Sequence, residues 1–138
     1  MQKRDARKLC HDVLDMRARM LEGHPNPTAL FDVKHNRGGM VDVEFIVQFL
    51  VLAHAHKHSA LVRNAGNIAL LQVAGQLQLI DASLARDVAD AYRTFRSIQH
   101  RLRLNGAERA RVAREEVERE AAAVTRLWSS VFTPPSTM

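Results

Sequence analysis

The sequence predicts an all-α fold, a bundle of about five helices with a short extended loop or hairpin before a central buried helix. Only four prolines and six glycines interrupt the 138 residues, and Ala, Leu, Arg and Glu are frequent, which favours helix. Apolar residues recur at spacings of three and four along most segments. With 46% hydrophobic residues, we expect a single helical domain over residues 1–138, with an ordered core over 4–132 and a tail over 133–138.

The first helix is predicted from Gln2 to Glu22, before a segment that contains two prolines. Arg17 lies one position past its apolar stripe and could reach the loop that precedes the central helix, but a solvated helix arginine is the interpretation we favour. The stripe itself is formed by Ala6, Leu9, Val13, Met16 and Met20.

The central helix is predicted from Met40 to about Lys57, after an extended segment over Phe31–His35 and a Gly38-Gly39 turn. Its apolar residues surround most of the helix axis, which is typical of a buried helix. Three polar side chains are exceptions to this pattern: Asp42, Glu44 and Gln48.

The turn before this helix could cradle a phosphate. Helix N-termini carry free backbone N–H groups that attract anions, and Lys34 and Arg37 flank the two glycines, Gly38 and Gly39. The alternative is a simple turn with solvated charges, and the residues alone favour neither. Asp42 lies in the first helical turn, where negative charge is favourable.

Glu44 shares a helix face with Gln48 but points away from Asp42, so the two acids do not predict a two-carboxylate site. A buried ion pair between Glu44 and an arginine of the fourth helix, Arg96 or Arg101, is at least as good an interpretation as direct catalysis.

Three further helices follow. Asn67 is expected to cap the third helix, Asp81 the fourth, and Asn105-Gly106 to end the fourth. The fourth helix has a four-three apolar seam formed by Leu84, Val88, Ala91, Phe95, Ile98 and Leu102. Residues 61–64 are expected to connect the second and third helices. The last helix is expected from about Glu108 to Phe132, with a stripe of Val117, Ala121, Val124, Trp128 and Val131.

The remaining composition limits the partners. A net charge of +5 permits an anionic partner, but no aromatic residues interleave with the arginines, so we expect no nucleic acid. The apolar part of the central helix is too short for a membrane span. The single Cys10 fits a reducing, cytoplasmic setting. His54 and His58 share a helix face, but without acidic or cysteine neighbours we expect no metal site there.

Several motifs resemble the helical domain that follows the nucleotidyltransferase domain in the glutamine synthetase adenylyltransferase family. Lys34, Gly38-Gly39, Asp42, Glu44-Phe45 and Gln48 are similar to its GG-x-x-D-[IV]-E-F-x-V-Q signature. The resemblance extends from Arg4 to Val131 and includes further residues in the family's order: Arg17, Asn67-Ile68, Ala91-Tyr92, Arg96, His100-Arg101 and Leu104.

This resemblance implies an accessory domain of an enzyme that transfers AMP from ATP to a tyrosine of glutamine synthetase, uses Mg²⁺ and responds to the PII signalling protein. The family's magnesium-binding carboxylates lie in the preceding domain, so this segment alone should be inactive and bind no cofactor. The expected nucleotide-facing residues are Lys34, Arg37, Gly38, Gly39 and Asp42. The expected structural residues are Glu44, Gln48, Arg17, Arg96, His100 and Arg101.

Two alternatives stay open. One is the related PII uridylyltransferase, whose helical domain shares the architecture. The other is a free-standing helical interaction module without a nucleotide role.

Overall fold

The computed structural model describes residues 3–54, 57–58 and 66–132, and these contain five α-helices and one short antiparallel pair of strands. Strand β1 (Phe31–Asp32) pairs with β2 (Arg111–Val112), with Phe31 opposite Val112. The all-α prediction with an extended segment before the central helix is confirmed. The helices are α1 (Lys3–Gly23), α2 (Met40–His54), α3 (Asn67–Gln76), α4 (Ala82–Leu104) and α5 (Glu118–Phe132).

Helix α2 is the centre of the bundle. It contacts all four other helices, and 10 of its 15 residues are buried. This confirms the prediction of a central buried helix, which follows from apolar residues on nearly every side. The described helix ends at His54, and residues 55–56 lie outside the described part of the chain.

Helix α4 follows the sequence pattern closely. The Asp81 carboxylate accepts the Leu84 N–H at 2.8 Å, which satisfies a donor that the helix itself cannot pair. The helix ends at Leu104, with Asn105 as its cap. Its predicted seam is buried, except for the half-buried Leu102. The expected caps and the expected seam are therefore confirmed.

Helix α1 buries a different face from the one predicted. Val13 is buried as expected, but Met16 and Met20 are 57% and 36% exposed. The buried row instead passes through Val13 and Arg17, because Arg17 pairs with a buried acid of α2. An unpaired buried carboxylate costs more free energy than the exposure of two flexible methionines.

Helix α5 begins ten residues later than predicted. The segment from Glu108 forms β2 and a 3₁₀ turn (Arg114–Val117) before the helix starts at Glu118. The Val33 N–H donates to the Ala110 carbonyl at 2.9 Å, so this segment serves as a partner for the extended loop. Helix propensity is a weak preference that such long-range pairing overrides.

Asn67 does not cap α3. Gly66 occupies the cap position without a side-chain hydrogen bond, and the Asn67 amide donates to the Tyr92 hydroxyl at 3.2 Å. The expected connection over residues 61–64 and the expected tail over 133–138 lie outside the described residues. Over the described ranges, none of the helices has the length and apolar character needed to cross a bilayer.

Candidate functional site

A buried ion pair fixes the loop that precedes α2. The Arg17 Nε donates to Asp42 Oδ1, and the two side chains are 0% and 2% exposed. The other carboxylate oxygen of Asp42 accepts the Gly38 N–H at 2.7 Å, and Arg17 Nη2 donates to the His35 carbonyl at 2.6 Å. These contacts join α1, the loop and α2. The interpretation of Arg17 as a solvated arginine was wrong, because the buried carboxylate needs a cation.

The loop's own atoms already satisfy the N–H groups at the start of α2. Those of Gly39, Met40 and Val41 donate to loop carbonyl oxygens at 2.9, 2.8 and 3.0 Å, and that of Gly38 donates to Asp42. The expectation of free amides facing an anion is therefore wrong at these four positions. An anion at this loop would have to be bound by side chains.

Both glycines of the turn are required by its geometry. Gly38 has φ +89°, a left-handed conformation that other residues rarely adopt. A Cβ atom on Gly39 would lie 2.6 Å from the Val33 carbonyl oxygen. The predicted turn is confirmed, and close backbone approach adds a second reason for it.

The two cations of the loop lie against different elements. Lys34 is exposed and lines a cavity of about 150 Å³, together with Arg103 of α4 and Arg109 of the following segment. Arg37 is turned towards α5, where its guanidinium carbon lies 5.5 Å from the centroid of the Trp128 ring. Lys34 is therefore the loop cation that is available to an anion in this cavity.

Asp32 is a buried carboxylate of the same cavity that the sequence analysis did not single out. Its Oδ1 accepts the N–H groups of Lys34 and His35 at 2.9 and 3.0 Å, and Arg111 Nε lies 3.9 Å from its Oδ2. The position of an aspartate two residues before Lys34 is typical of a side chain that caps its own turn, and this signal could have identified it. Asp32 holds the backbone from which Lys34 projects.

His35 lies next to this carboxylate. Its ring stacks on that of His24 at a centroid distance of 3.9 Å. Burial lowers the pKa of His35, and the neighbouring His24 lowers that pKa further, although Asp32 opposes the shift. The uncharged imidazole is therefore favoured beside Lys34.

Glu44 forms a hydrogen bond with a tyrosine and no ion pair with an arginine of the described residues. Its carboxylate accepts the Tyr92 hydroxyl at 3.1 Å, and Arg96 lies over the Tyr92 ring at 6.0 Å. Within the described part of the chain, no ion pair joins Glu44 to Arg96 or Arg101, so that expectation was wrong. Glu44 is half-buried and keeps some solvent, so a phenol donor satisfies it. Burial raises the pKa of Tyr92, which keeps the phenol protonated as a donor.

The other expected residues of this region are exposed. Arg96 and His100 line an open groove of about 490 Å³ along α4, together with Arg93, Arg103 and Met40. Gln48 and Arg101 are exposed outside that groove.

The carboxylates around the loop are held by groups of the protein itself. Asp32 and Asp42 direct their oxygens to groups of this chain. Among the described residues, no cluster of three or more His, Cys, Asp or Glu side chains is placed to hold a metal. His54 and His58 are joined by a backbone hydrogen bond of 3.1 Å, and His56 lies outside the described residues.

Comparison with known proteins identifies related sequences. Residues 12–129 match the family described as GlnD PII-uridylyltransferase. The chain is 59% identical over 131 residues to the bifunctional glutamine synthetase adenylyltransferase/adenylyl-removing enzyme of Ralstonia nicotianae. It is 55% and 52% identical over 129 residues to the enzymes of that name from Bordetella bronchiseptica and Burkholderia pseudomallei.

These alignments cover 94–95% of this chain but only 14% of each relative, so the chain spans a small part of their length. The resemblance stated from the motifs is confirmed by relatives of that name. The chain belongs to the family described as GlnD PII-uridylyltransferase, and over nearly its whole length it is similar to one segment of glutamine synthetase adenylyltransferases.

Proposed function

We propose that this chain is the helical domain of a glutamine synthetase adenylyltransferase, and that its loop over residues 34–42 faces the nucleotide held by a preceding nucleotidyltransferase domain. The observation that carries this proposal is the 52–59% identity to enzymes of that name across nearly the whole chain. Such a domain would be one part of a larger multidomain enzyme.

In this proposal, Lys34 is the residue that contacts phosphate. Its ammonium group is exposed, while Asp32 and the Arg17–Asp42 pair hold the backbone on both sides of it. Phosphoryl transfer depends on positioned positive charge, and a lysine that projects from a fixed backbone supplies such a charge. Arg17 and Asp42 are positioning residues, and Arg37 holds the loop against α5.

The proposal assigns ATP and Mg²⁺ to the larger enzyme, with the metal held by carboxylates of the preceding domain. Glutamine synthetase would be the protein substrate and the PII protein a regulatory partner. The carboxylates of Asp32 and Asp42 are engaged internally, which supports placing the metal outside this chain.

The description of the matching family favours a second candidate, the helical domain of a PII uridylyltransferase. Both functions involve nucleotidyl transfer, and the basic cavity beside Lys34 would serve either. The names of relatives at 52–59% identity favour the adenylyltransferase.

An assay on the proposed full-length enzyme separates the two. It would be incubated with Mg²⁺, labelled ATP or UTP, and either glutamine synthetase or PII. The proposal expects label from ATP on glutamine synthetase. Label from UTP on PII, with none from ATP on glutamine synthetase, would contradict it and favour the uridylyltransferase.

A further inference from the structure

Helix α4 carries a row of basic residues on the side away from its apolar seam. Arg93, Arg96, His100 and Arg103 recur at spacings of three, four and three, which places them on one helix face. All four are exposed and line the groove of about 490 Å³ that runs beside Met40 at the start of α2. The residues that line this groove include no carboxylate.

Most of this charge is not neutralised within the described residues. Arg93 is paired with Asp90 at 2.7 Å, whereas Arg96 lies over the Tyr92 ring, and Arg103 has no ion pair in the part of the chain described. Arg93 and Arg96 are like charges three residues apart, a spacing that destabilises a helix by about 0.2–0.5 kcal/mol per pair. Packing does not require exposed arginines here, so the row has a cost that an anionic ligand would offset.

The groove continues into the cavity of Lys34. Arg103 and Gln99 line both the groove and the cavity, so the groove and the cavity are adjacent. The cavity adds Lys34 and Arg109 to the basic residues of the groove, and its lining also includes the acids Asp32 and Glu108. From Arg93 to Arg103 the helix rises about 15 Å. A row of this length suits a ligand with several negative charges in line better than a single phosphate.

Guanidinium groups bind phosphate oxygens through two parallel hydrogen bonds, which is the strongest contact that an exposed side chain offers to this chemistry. We propose that the α4 groove binds a linear polyphosphate, with Arg96 and Arg103 as its guanidinium contacts. The further step, that the polyphosphate is the phosphate chain of a nucleotide, rests on the proposed function. Polyphosphate binding by the groove does not rest on it.

The test is isothermal titration calorimetry of the 138-residue chain with sodium tripolyphosphate at constant ionic strength. Saturable binding is expected, and Arg96→Gln and Arg103→Gln should each weaken it by about tenfold or more, as expected for hydrogen bonds between charged groups. Arg86→Gln is the matched control, because Arg86 is also an exposed arginine of α4 but lines neither the groove nor the cavity. This control should bind within about twofold of wild type, because salt screens distant surface charges.

Absence of saturable binding would overturn the inference, and so would equal weakening by Arg86→Gln. Orthophosphate is titrated in a second experiment. If orthophosphate binds as tightly as tripolyphosphate, the groove is a single-phosphate site, which would contradict the proposal that it binds a linear polyphosphate. ATP is titrated in a third experiment. Its binding with the same dependence on Arg96 and Arg103 supports a nucleotide source, and failure of ATP to bind where tripolyphosphate does would exclude one.

Melting curves of all variants check that the fold is retained, and Arg103 tests the site independently of the Arg96–Tyr92 contact. Failure of these titrations leaves the adenylyltransferase proposal intact, because that proposal is tested by transfer of label in the longer enzyme. Conversely, if the longer enzyme does not label glutamine synthetase, that result does not contradict tripolyphosphate binding by this groove.

Discussion

Position 17 holds an arginine that is fully buried, and its ion pair with Asp42 determines how α1 lies against the loop. Two buried ions stabilise a fold only while both are present, because removing one leaves an uncompensated charge at low dielectric. Here the acid also fixes the Gly38 amide, so the pair governs the shape of the loop as well as the packing of two helices.

Replacing Arg17 with alanine should lower the free energy of unfolding by about 3–5 kcal/mol, since Asp42 would remain buried without a partner. Arg19→Ala is the matched control on the same helix, because Arg19 is exposed and pairs with Asp15 at 2.9 Å on the surface. The control should cost less than about 1 kcal/mol. Urea unfolding of both variants measures the difference.

The double variant Arg17→Ala/Asp42→Ala completes the cycle. If the pair is coupled as described, the double variant costs clearly less than the sum of the two single variants. Additive costs, or equal losses for Arg17→Ala and Arg19→Ala, would mean that Arg17 and Asp42 do not depend on each other.

His35 should make stability depend on pH. Its pKa is lowered in the folded state by burial and by His24, so the unfolded chain binds more protons in the window below the ordinary histidine pKa of about 6.5. The contribution of His35 to the free energy of unfolding is fully present above pH ~6.5 and is lost as pH falls through the folded-state pKa. The slope of unfolding free energy against pH between about 5 and 7 should flatten in His35→Gln.

His11→Gln serves as the comparison for that experiment, because His11 is exposed on α1. A slope that changes equally in the two variants would contradict a specific role of His35.

The burial of Arg17 illustrates what periodicity can and cannot predict about single residues. Position 17 belongs to a helical row with Val13, but Met16 and Met20 offer a competing apolar stripe with the same spacing. The row that includes the arginine is buried because Asp42, which is distant in sequence, supplies a buried carboxylate as its partner, and because Leu9, Cys10 and Leu14 pack against the core on the same side. The acids of α2 were identified as unusual from sequence, but an arginine partner was expected for Glu44 only. Arg17 pairs with Asp42, and Glu44 accepts the Tyr92 hydroxyl instead.

At the scale of the elements, the loop before α2 leaves little space for a larger side chain. A methyl group on Gly39 would collide with the Val33 carbonyl, a backbone atom that cannot move without displacing β1. Gly39→Ala should therefore destabilise the fold by more than ~1 kcal/mol. Thermal unfolding compared with Gly23→Ala tests this, because nothing lies within 4 Å of a Cβ at Gly23.

In that comparison Gly23→Ala should be neutral or slightly stabilising. Equal melting temperatures for the Gly39 variant and wild type would show that the loop does not pass as close to Val33 as described.

Elements determined by local pattern were predicted well, and elements determined by distant partners were not. The seam of α4 and its Asp81 cap depend on residues within one helix, and both were confirmed. Strand β2 and the late start of α5 depend on pairing with Phe31, about 80 residues earlier in the chain. No local signal between Glu108 and Val117 indicates this pairing, because those residues are ordinary helix formers.

At the scale of the whole molecule, the grooves between the described helices differ in charge. The groove beside Met40 is lined by basic residues without a carboxylate, and it shares Gln99 and Arg103 with the Lys34 cavity. A separate groove between α4 and α5 has a mixed lining: the acids Asp87, Asp90, Glu118 and Glu120, and the arginines Arg119 and Arg126. The motifs predicted the family. The joining of the cavity to the groove could not be predicted, because it requires the packing of α4 against the loop.

The 138-residue chain alone should transfer no AMP. Phosphoryl and nucleotidyl transfer need a metal ion to neutralise developing charge, and the carboxylates of Asp32 and Asp42 are occupied by internal hydrogen bonds. Incubation of the pure chain with labelled ATP, Mg²⁺ and glutamine synthetase checks this. Label on the synthetase above the level seen without the chain would contradict the assignment of the metal to another domain.

The most direct test of the central proposal, that the Lys34 loop faces the nucleotide, is the steady-state kinetics of Lys34→Ala in the proposed full-length adenylyltransferase. With ATP varied and glutamine synthetase saturating, kcat/KM for ATP should fall by about tenfold or more, the expected loss for one hydrogen bond to a charged phosphate. The melting temperature should not change, because Lys34 is exposed, and Lys8→Ala on the exposed surface of α1 should keep wild-type kinetics. Wild-type kcat/KM in Lys34→Ala would contradict the account and leave the loop as a structural turn.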